Sequence, residues 1–409
     1  MLREYLRSFR FPAEAVTLAV LMFFLPLLEA PKNLAWLAFV LIWIANRIRA
    51  RECGGRWDLW DTLILAWIAS AYVVAAFAGL HRSEWGGASD LLKYGLVLWL
   101  VKRSGYGPPE SRLIIGTLLV SALAGLPQAY WELFVSHTRK WFELHSVGQV
   151  NHTAIYLAIV LGMSLSAVLA YWRAWPRTAR ALGLLAVANI ALAVIMTGSR
   201  AAVGVGIVLV LALTAAWMPR MKTAFVTALS VALMVVAFAW GAKIEVVRKQ
   251  ESQIEKHMLS NRNAIWNNAM AAWARFPLFG VGMDNFSEIT LDRVREWRTE
   301  AGRPFDKALH WEIGSHGHSL VFNTLAERGV VGSAALLAVL LAWIASLVRH
   351  RPRAADGDLH WALWGGALSA WFVSVGTGLV NTSLHHEHAI LSVTLLGLWL
   401  AHLRGRSSP

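Results

Sequence analysis

Val150-Asn151-His152-Thr153-Ala154-Ile155-Tyr156-Leu157-Ala158-Ile159-Val160-Leu161-Gly162-Met163-Ser164-Leu165-Ser166-Ala167-Val168-Leu169-Ala170-Tyr171-Trp172 contains no Asp, Glu, Lys or Arg. An apolar stretch of roughly 20 residues is long enough, as a helix, to cross a hydrocarbon core. Similar runs recur on both sides of it. Together they predict an all-α, polytopic membrane protein of about twelve spans, near 11–28, 34–46, 59–79, 86–101, 112–130, 150–172, 181–197, 201–218, 223–242, 330–348, 359–381 and 387–403. Composition agrees. Of 409 residues 57% are hydrophobic and only 15% charged, well under the quarter usual in soluble domains. Many of the 22 Trp stand near the ends of the runs, as interfacial aromatic belts require. The lone Cys53 allows no internal disulfide and no Cys-based metal site. The first run lacks a small-residue cleavage site and is followed by further spans, so no removable secretory signal is expected. Neither a soluble domain nor a fixed-period repeat is visible, and residues 1–409 read as a single membrane domain.

The net charge of +13 resembles a nucleic-acid signature, but its distribution argues for topology instead. Arg3, Arg7 and Arg10 precede the first span. Arg47, Arg49, Arg51 and Arg56 follow the second, and Lys102, Arg103 and Arg112 the fourth. Arg173, Arg177 and Arg180 follow the sixth, Arg220 and Lys222 the eighth, Arg349, Arg351 and Arg353 the tenth, and Arg404 and Arg406 the last. The opposite short loops carry only Lys32, Arg82, Arg139, Lys140 and Arg200. Lys and Arg accumulate on the cytoplasmic side, so both termini are expected there. The long segment 243–317 then falls outside as a large loop with balanced charge, an alternation that predicts solvated helices.

Four polar motifs share that external side. Thr197-Gly198-Ser199-Arg200 lies at a turn between spans. Arg200 there can simply anchor to headgroups. Its planar fork also suits phosphate, and Gly198 and Ser199 offer backbone donors for a small anion nest. Ser260-Asn261-Arg262 opens a helical run that ends near Phe276, with Ser260 or Asn261 as N-cap. Pro277-Leu278-Phe279-Gly280-Val281-Gly282-Met283-Asp284-Asn285-Phe286 reads as a Gly-rich tight turn without the strand context of a dinucleotide site. Gly314-Ser315-His316-Gly317-His318-Ser319 closes the long segment. Imidazole can accept a proton near neutrality, although interfacial His often only hydrogen-bonds a neighbouring loop. From Ser315 to Arg328 the pattern allows a short interfacial helix that His318 opens, sharing a face with Phe322. Glu327 and Arg328 are too costly for mid-bilayer, and Gly329 is the expected break before the true span.

These motifs, in this order, resemble the bacterial O-antigen ligase family and the related O-antigen polymerases and protein O-oligosaccharyltransferases. One departure is Ser319, where relatives often carry Asn after the second His. The resemblance implies glycosyl transfer at a periplasmic active site of the inner membrane. The donor would be O-antigen polysaccharide on undecaprenyl pyrophosphate, and the acceptor a hydroxyl of lipid A-core oligosaccharide in lipopolysaccharide biosynthesis. The expected partners are those two substrates and membrane lipids, with no nucleic acid. A lipid pyrophosphate leaves as a stable anion, so the chemistry needs charge stabilisation and a base for the acceptor hydroxyl. Arg200 and Arg262, with Ser199, are expected on the pyrophosphate. His318 is the expected base, worth about 10²–10⁴-fold, with His316 beside it. Direct displacement inverts the anomeric centre; a covalent intermediate is the alternative.

Arg82 and Lys93 are weaker pyrophosphate candidates, and Lys93 can instead pair with Asp90 or snorkel. Asn151-His152 reads as a satisfied interfacial pair. His385-His386-Glu387-His388 at the last external turn has the residue types of a metal cluster, with His316 and His318 as further nitrogen donors. The resemblance implies no required metal and no cofactor. A polysaccharide-lipid transporter or flippase is the rival from another class. Such proteins tend to show repeats and mid-membrane helix breaks, whereas the polar motifs here gather on one face.

Overall fold

The computed structural model describes residues 11–217, 262–312 and 314–407. Within them lie thirteen α-helices, two short 3-10 turns and no strand. The helices are α1 (Ala13–Phe24), α2 (Glu29–Ala50), α3 (Leu59–Ala76), α4 (Glu84–Arg103), α5 (Pro108–Phe134), α6 (Val150–Tyr171), α7 (Arg177–Met196) and α8 (Arg200–Trp217). After the undescribed stretch come α9 (Arg262–Arg275), α10 (Leu291–Glu300), α11 (Leu320–Arg349), α12 (Asp358–Gly378) and α13 (His386–Ser407). Every expected span except 223–242 therefore coincides with a helix. That span, the stretch 243–261 with Ser260 and Asn261, and the basic residues Arg3, Arg7, Arg10, Arg220 and Lys222 lie outside the described residues. Six helices, α3, α5, α6, α7, α8 and α11, are long and apolar enough to cross a membrane.

The protein is built around α6. Every residue from Thr153 to Ala170 is buried, because α7, α8, α12 and α13 all pack on this helix. Its tightest partner is α12, and small residues make that approach possible. A Cβ on Gly162 would lie 2.6 Å from Ser369 Cβ, and one on Gly365 would lie 2.6 Å from Ser166 Cβ. Apolar side chains gain little by meeting each other in lipid, so close van der Waals approach through small residues is what joins such helices.

A second, smaller core lies beside the bundle. Ile265, Ala269 and Ala272 of α9 and Val294 and Trp297 of α10 meet Val281, Phe286 and Ala326. The alternating charges of 292–300 thus form the solvated face of an amphipathic helix, as the sequence predicts.

The break at Gly329 is real: its backbone (φ 56, ψ −158) divides α11. A break inside a helix frees backbone groups that must find partners. They find them in the Gly-rich turn. Val330 and Val331 N–H donate to the Pro277 and Leu278 carbonyls (2.9 and 3.1 Å). Val281 and Gly282 N–H donate to the Ala326 and Glu327 carbonyls (2.8 and 2.9 Å). Two motifs that look separate in sequence are therefore one interlocked unit. Asn285, fully buried, ties that unit to the α3–α4 loop. Its amide donates to the Leu80 carbonyl (2.9 Å) and to Glu84 (3.2 Å), and its oxygen accepts from Ser83 N–H (2.9 Å).

Candidate active site

The expectation that His318 opens a helix needs correction. Ser319 is the N-cap of α11, its hydroxyl accepting from Phe322 N–H (3.5 Å), and the helix begins at Leu320. His318 precedes it in the left-handed region (φ 44) and shares no helical face with Phe322. Both histidines thus sit in a turn, and that turn is clamped. Asn323 Oδ1 accepts from Gly317 N–H (2.7 Å), and Trp266 of α9 donates to the Gly317 carbonyl (3.1 Å). Trp266 also stacks on Phe322, with ring centroids 4.8 Å apart. The two imidazoles are held 4.2 Å apart, with Ser315 Oγ 2.7 Å from His316 Nδ1.

Asn381, a buried residue in the α12–α13 loop, lies near His318, and the next residue, Ser319, donates to the Gly378 carbonyl at the end of α12 (3.3 Å). Burial, and after it the positive charge of Arg262, lowers the His318 pKa, while the nearby Asn381 side chain opposes them. His316 is lowered to about 4 by burial and by the neighbouring His318 and His386. Arg262, first residue of α9, is itself lowered by burial and by the field of Arg200. Arg200 is first residue of α8. Arg262 therefore lies within electrostatic reach of residues from two other stretches, Arg200 and His318.

The amides of the Arg200 turn are already engaged. Gly198 N–H bonds the Ile195 carbonyl (3.0 Å) and Ser199 N–H bonds Thr197 Oγ1 (3.3 Å), so the expected backbone nest has spent these donors. Arg82 forms an ion pair with Glu288, and Lys93 pairs with Asp90 at 3.3 Å. Neither joins the Arg200–Arg262 pair in these contacts.

On the other side of His316 lies a cavity of about 330 Å³. Asp90 and Tyr94 of α4, Asp284, Glu327, His386 and Thr382 contribute polar groups to its wall. Glu327 is fixed there by Asn323 Nδ2 (2.8 Å) and Phe286 N–H (3.3 Å). Burial and the charge of Asp90 raise the Asp284 pKa. His152 is not an isolated interfacial residue. Its ring lies 4.9, 5.2 and 5.4 Å from those of His385, His386 and His388. Among the described residues no group of three or more His, Cys, Asp or Glu is arranged to hold a metal ion.

Asn381 and the cavity carboxylates escaped the sequence reading. Asn381-Thr382 stands four residues before the His385-His386-Glu387-His388 turn, and nearness to that expected external histidine cluster is the signal the sequence offers.

The described residues thus form a helical protein with membrane-length apolar helices, in which Arg262 lies within electrostatic reach of both Arg200 and His318. Comparison with known families then adds one finding: residues 185–337 match the O-antigen ligase family model, in keeping with the O-antigen ligase and polymerase superfamily. The matched stretch holds Arg200, Arg262, His316 and His318, but not His152, Asn381 or His385–His388. No curated protein matches the chain.

Proposed function

We propose that this protein is an O-antigen ligase, moving O-antigen polysaccharide from undecaprenyl pyrophosphate to a sugar hydroxyl of lipid A-core. The observation that carries this reading is the setting of His318, in a clamped turn beside Asn381 and within the field of Arg262, which in turn lies within the field of Arg200. A ring nitrogen that donates its hydrogen to the Asn381 oxygen leaves the second nitrogen with a free lone pair. That lone pair takes the proton of the acceptor hydroxyl as its oxygen bonds the anomeric carbon. The bond from that carbon to the pyrophosphate oxygen breaks, and the two guanidinia receive the departing charge. The cavity beside His316 supports the acceptor half of the reading. Asp90, Asp284 and Glu327 can accept hydrogen bonds from sugar hydroxyls.

Purified variants, lipid-linked polymer and lipid A-core provide the test. His318→Ala should abolish transfer while donor binding persists, and His316→Ala should retain measurable activity. His318→Asn is the better control of backbone strain, because Asn tolerates left-handed φ; it too should be inactive. Transfer should survive EDTA, since two arginines already neutralise the pyrophosphate. Full transfer by the His318 variants would remove the base assignment, and the reverse ranking would move it by two residues. Polymer extension with no capping of lipid A-core would make the protein a polymerase instead.

A further inference from the structure

At the end of the bundle away from His316 and His318, the structure forms a larger, open cavity of about 660 Å³. It lies where α4, α11 and α13 end and α3 and α12 begin. Six cationic side chains face it, Lys102, Arg349, Arg351, Arg353, Arg404 and Arg406, against two carboxylates, Asp58 and Asp356. Asp58 is bound to Lys102 (2.7 Å) and Asp356 to Arg406 (2.9 Å), and cationic side chains outnumber carboxylates in the lining. Arg349, Arg351 and Arg353 form no ion pair among the described residues. The floor is rigid: Lys102 is buried and also binds buried Asp61 (2.8 Å), which Arg103 holds from the other side at 2.8 Å. One wall is apolar, made by Leu59, Trp60, Leu400 and Leu403, and Leu59 is 71% exposed.

We propose that this cavity is a specific binding site for the phosphate headgroup of an anionic phospholipid, its acyl chains lying along the Leu59–Trp60 wall. A free phosphate satisfies the arginines alone and leaves the apolar wall in water. A zwitterionic lipid satisfies the wall but brings no net charge. Basic pockets between membrane helices on the cytoplasmic side favour anionic headgroups, and the basic-loop pattern assigns this end to the cytoplasm. Simple orientation signals need no convergence, and here arginines from two separate segments, 349–353 and 404–406, turn toward one concavity with a buried floor.

Native mass spectrometry of the full-length, delipidated protein tests this with cardiolipin, phosphatidylglycerol and phosphatidylcholine added in turn. Cardiolipin and phosphatidylglycerol should bind in preference to phosphatidylcholine. Arg349→Gln/Arg351→Gln should weaken the anionic lipids about 10- to 30-fold. Arg173→Gln/Arg177→Gln, in a basic loop at the same end but outside the cavity, should bind as the parent does. Equal weakening by both pairs, or no preference over phosphatidylcholine, overturns the site. Displacement of bound lipid by equimolar inorganic phosphate overturns the lipid and leaves a phosphate site. If the double variant does not fold by thermal melting, Arg351→Gln alone carries the same comparison, because Arg351 is exposed and has no ion pair to lose.

Discussion

His318 occupies a backbone region that costs a side-chain-bearing residue about 1–2 kcal/mol. It is not alone. Of the six non-glycine residues with positive φ among the described residues, four (Asp284, His318, Leu384 and His386) lie in the segments that build the histidine region. Strain gathered at one place is held there by surrounding structure and points to function. Proton affinity at this residue gives a signed prediction. A lowered pKa keeps the imidazole neutral, and so able to act as base, below the ordinary value near 6.5. Transfer should therefore persist as pH falls through 6.5 and decline only below it. A rate profile already half lost at 6.5 would contradict the burial argument. The same sign holds for stability. The buried neutral form contributes above the unfolded-state pKa, and that contribution is lost as pH falls through the lower folded value. Arg262→Gln removes a cation, so the His318 titration followed by NMR should move upward. At Arg200 and Arg262, exchange for Lys keeps charge but loses the planar fork. Each such change should cost roughly 1.5–3 kcal/mol of transfer, about 10- to 150-fold. Near-normal rates from both would return these residues to headgroup anchors.

Helix α11 shows how an element can be broken without loss of backbone satisfaction. Gly329 is required twice: its φ and ψ are nearly glycine-only, and a Cβ would meet the backbone of Leu278 and Phe279. Gly329→Ala should cost about 1–3 kcal/mol from conformation alone, with the close contact added. Melting in detergent should show this loss. Gly204→Ala, at a helical site with open space for a Cβ, should melt at or above the parent temperature. Equal melting of both variants would mean the kink is not rigid. The break was legible in Glu327-Arg328-Gly329, because two charges followed by Gly do not continue a span. The start of the helix was not. Ser315 and Ser319 are equally good caps, and what selects Ser319 is tertiary. The Asn323 side chain reaches back to Gly317, and Trp266 grips the same turn from α9. Asn381 was invisible for the same reason. It lies in a loop without periodicity, and only the packing of α12 against α11 brings it to His318.

At the scale of the molecule, apolar run length found the helices because that signal is local, while the enclosure of α6 is a property of its neighbours. Thr153–Ala170 reads no differently from other spans, yet it is buried along its whole length, as Glu387–Ala401 of α13 also is. The arrangement has two chemically distinct ends. One carries His152, His316, His318 and the His385–His388 turn with Arg262, and the other carries the anchored Lys102–Asp61–Arg103 group and the basic cavity. By the basic-loop rule the second end is expected in the cytoplasm. Two cysteines report on the two ends. Native Cys53 is exposed, and its carbonyl accepts from Arg103, which puts it at the basic end. Glu296 is exposed on α10, in the segment expected outside. In spheroplasts, a membrane-impermeant maleimide should label Glu296→Cys in a Cys53→Ser background without lysis. It should label native Cys53 only after the membrane is opened. The opposite result would invert the protein in the membrane. His318 and both arginines would then face the cytoplasm, away from any periplasmic lipid A-core, and the ligase reading would fail with the orientation.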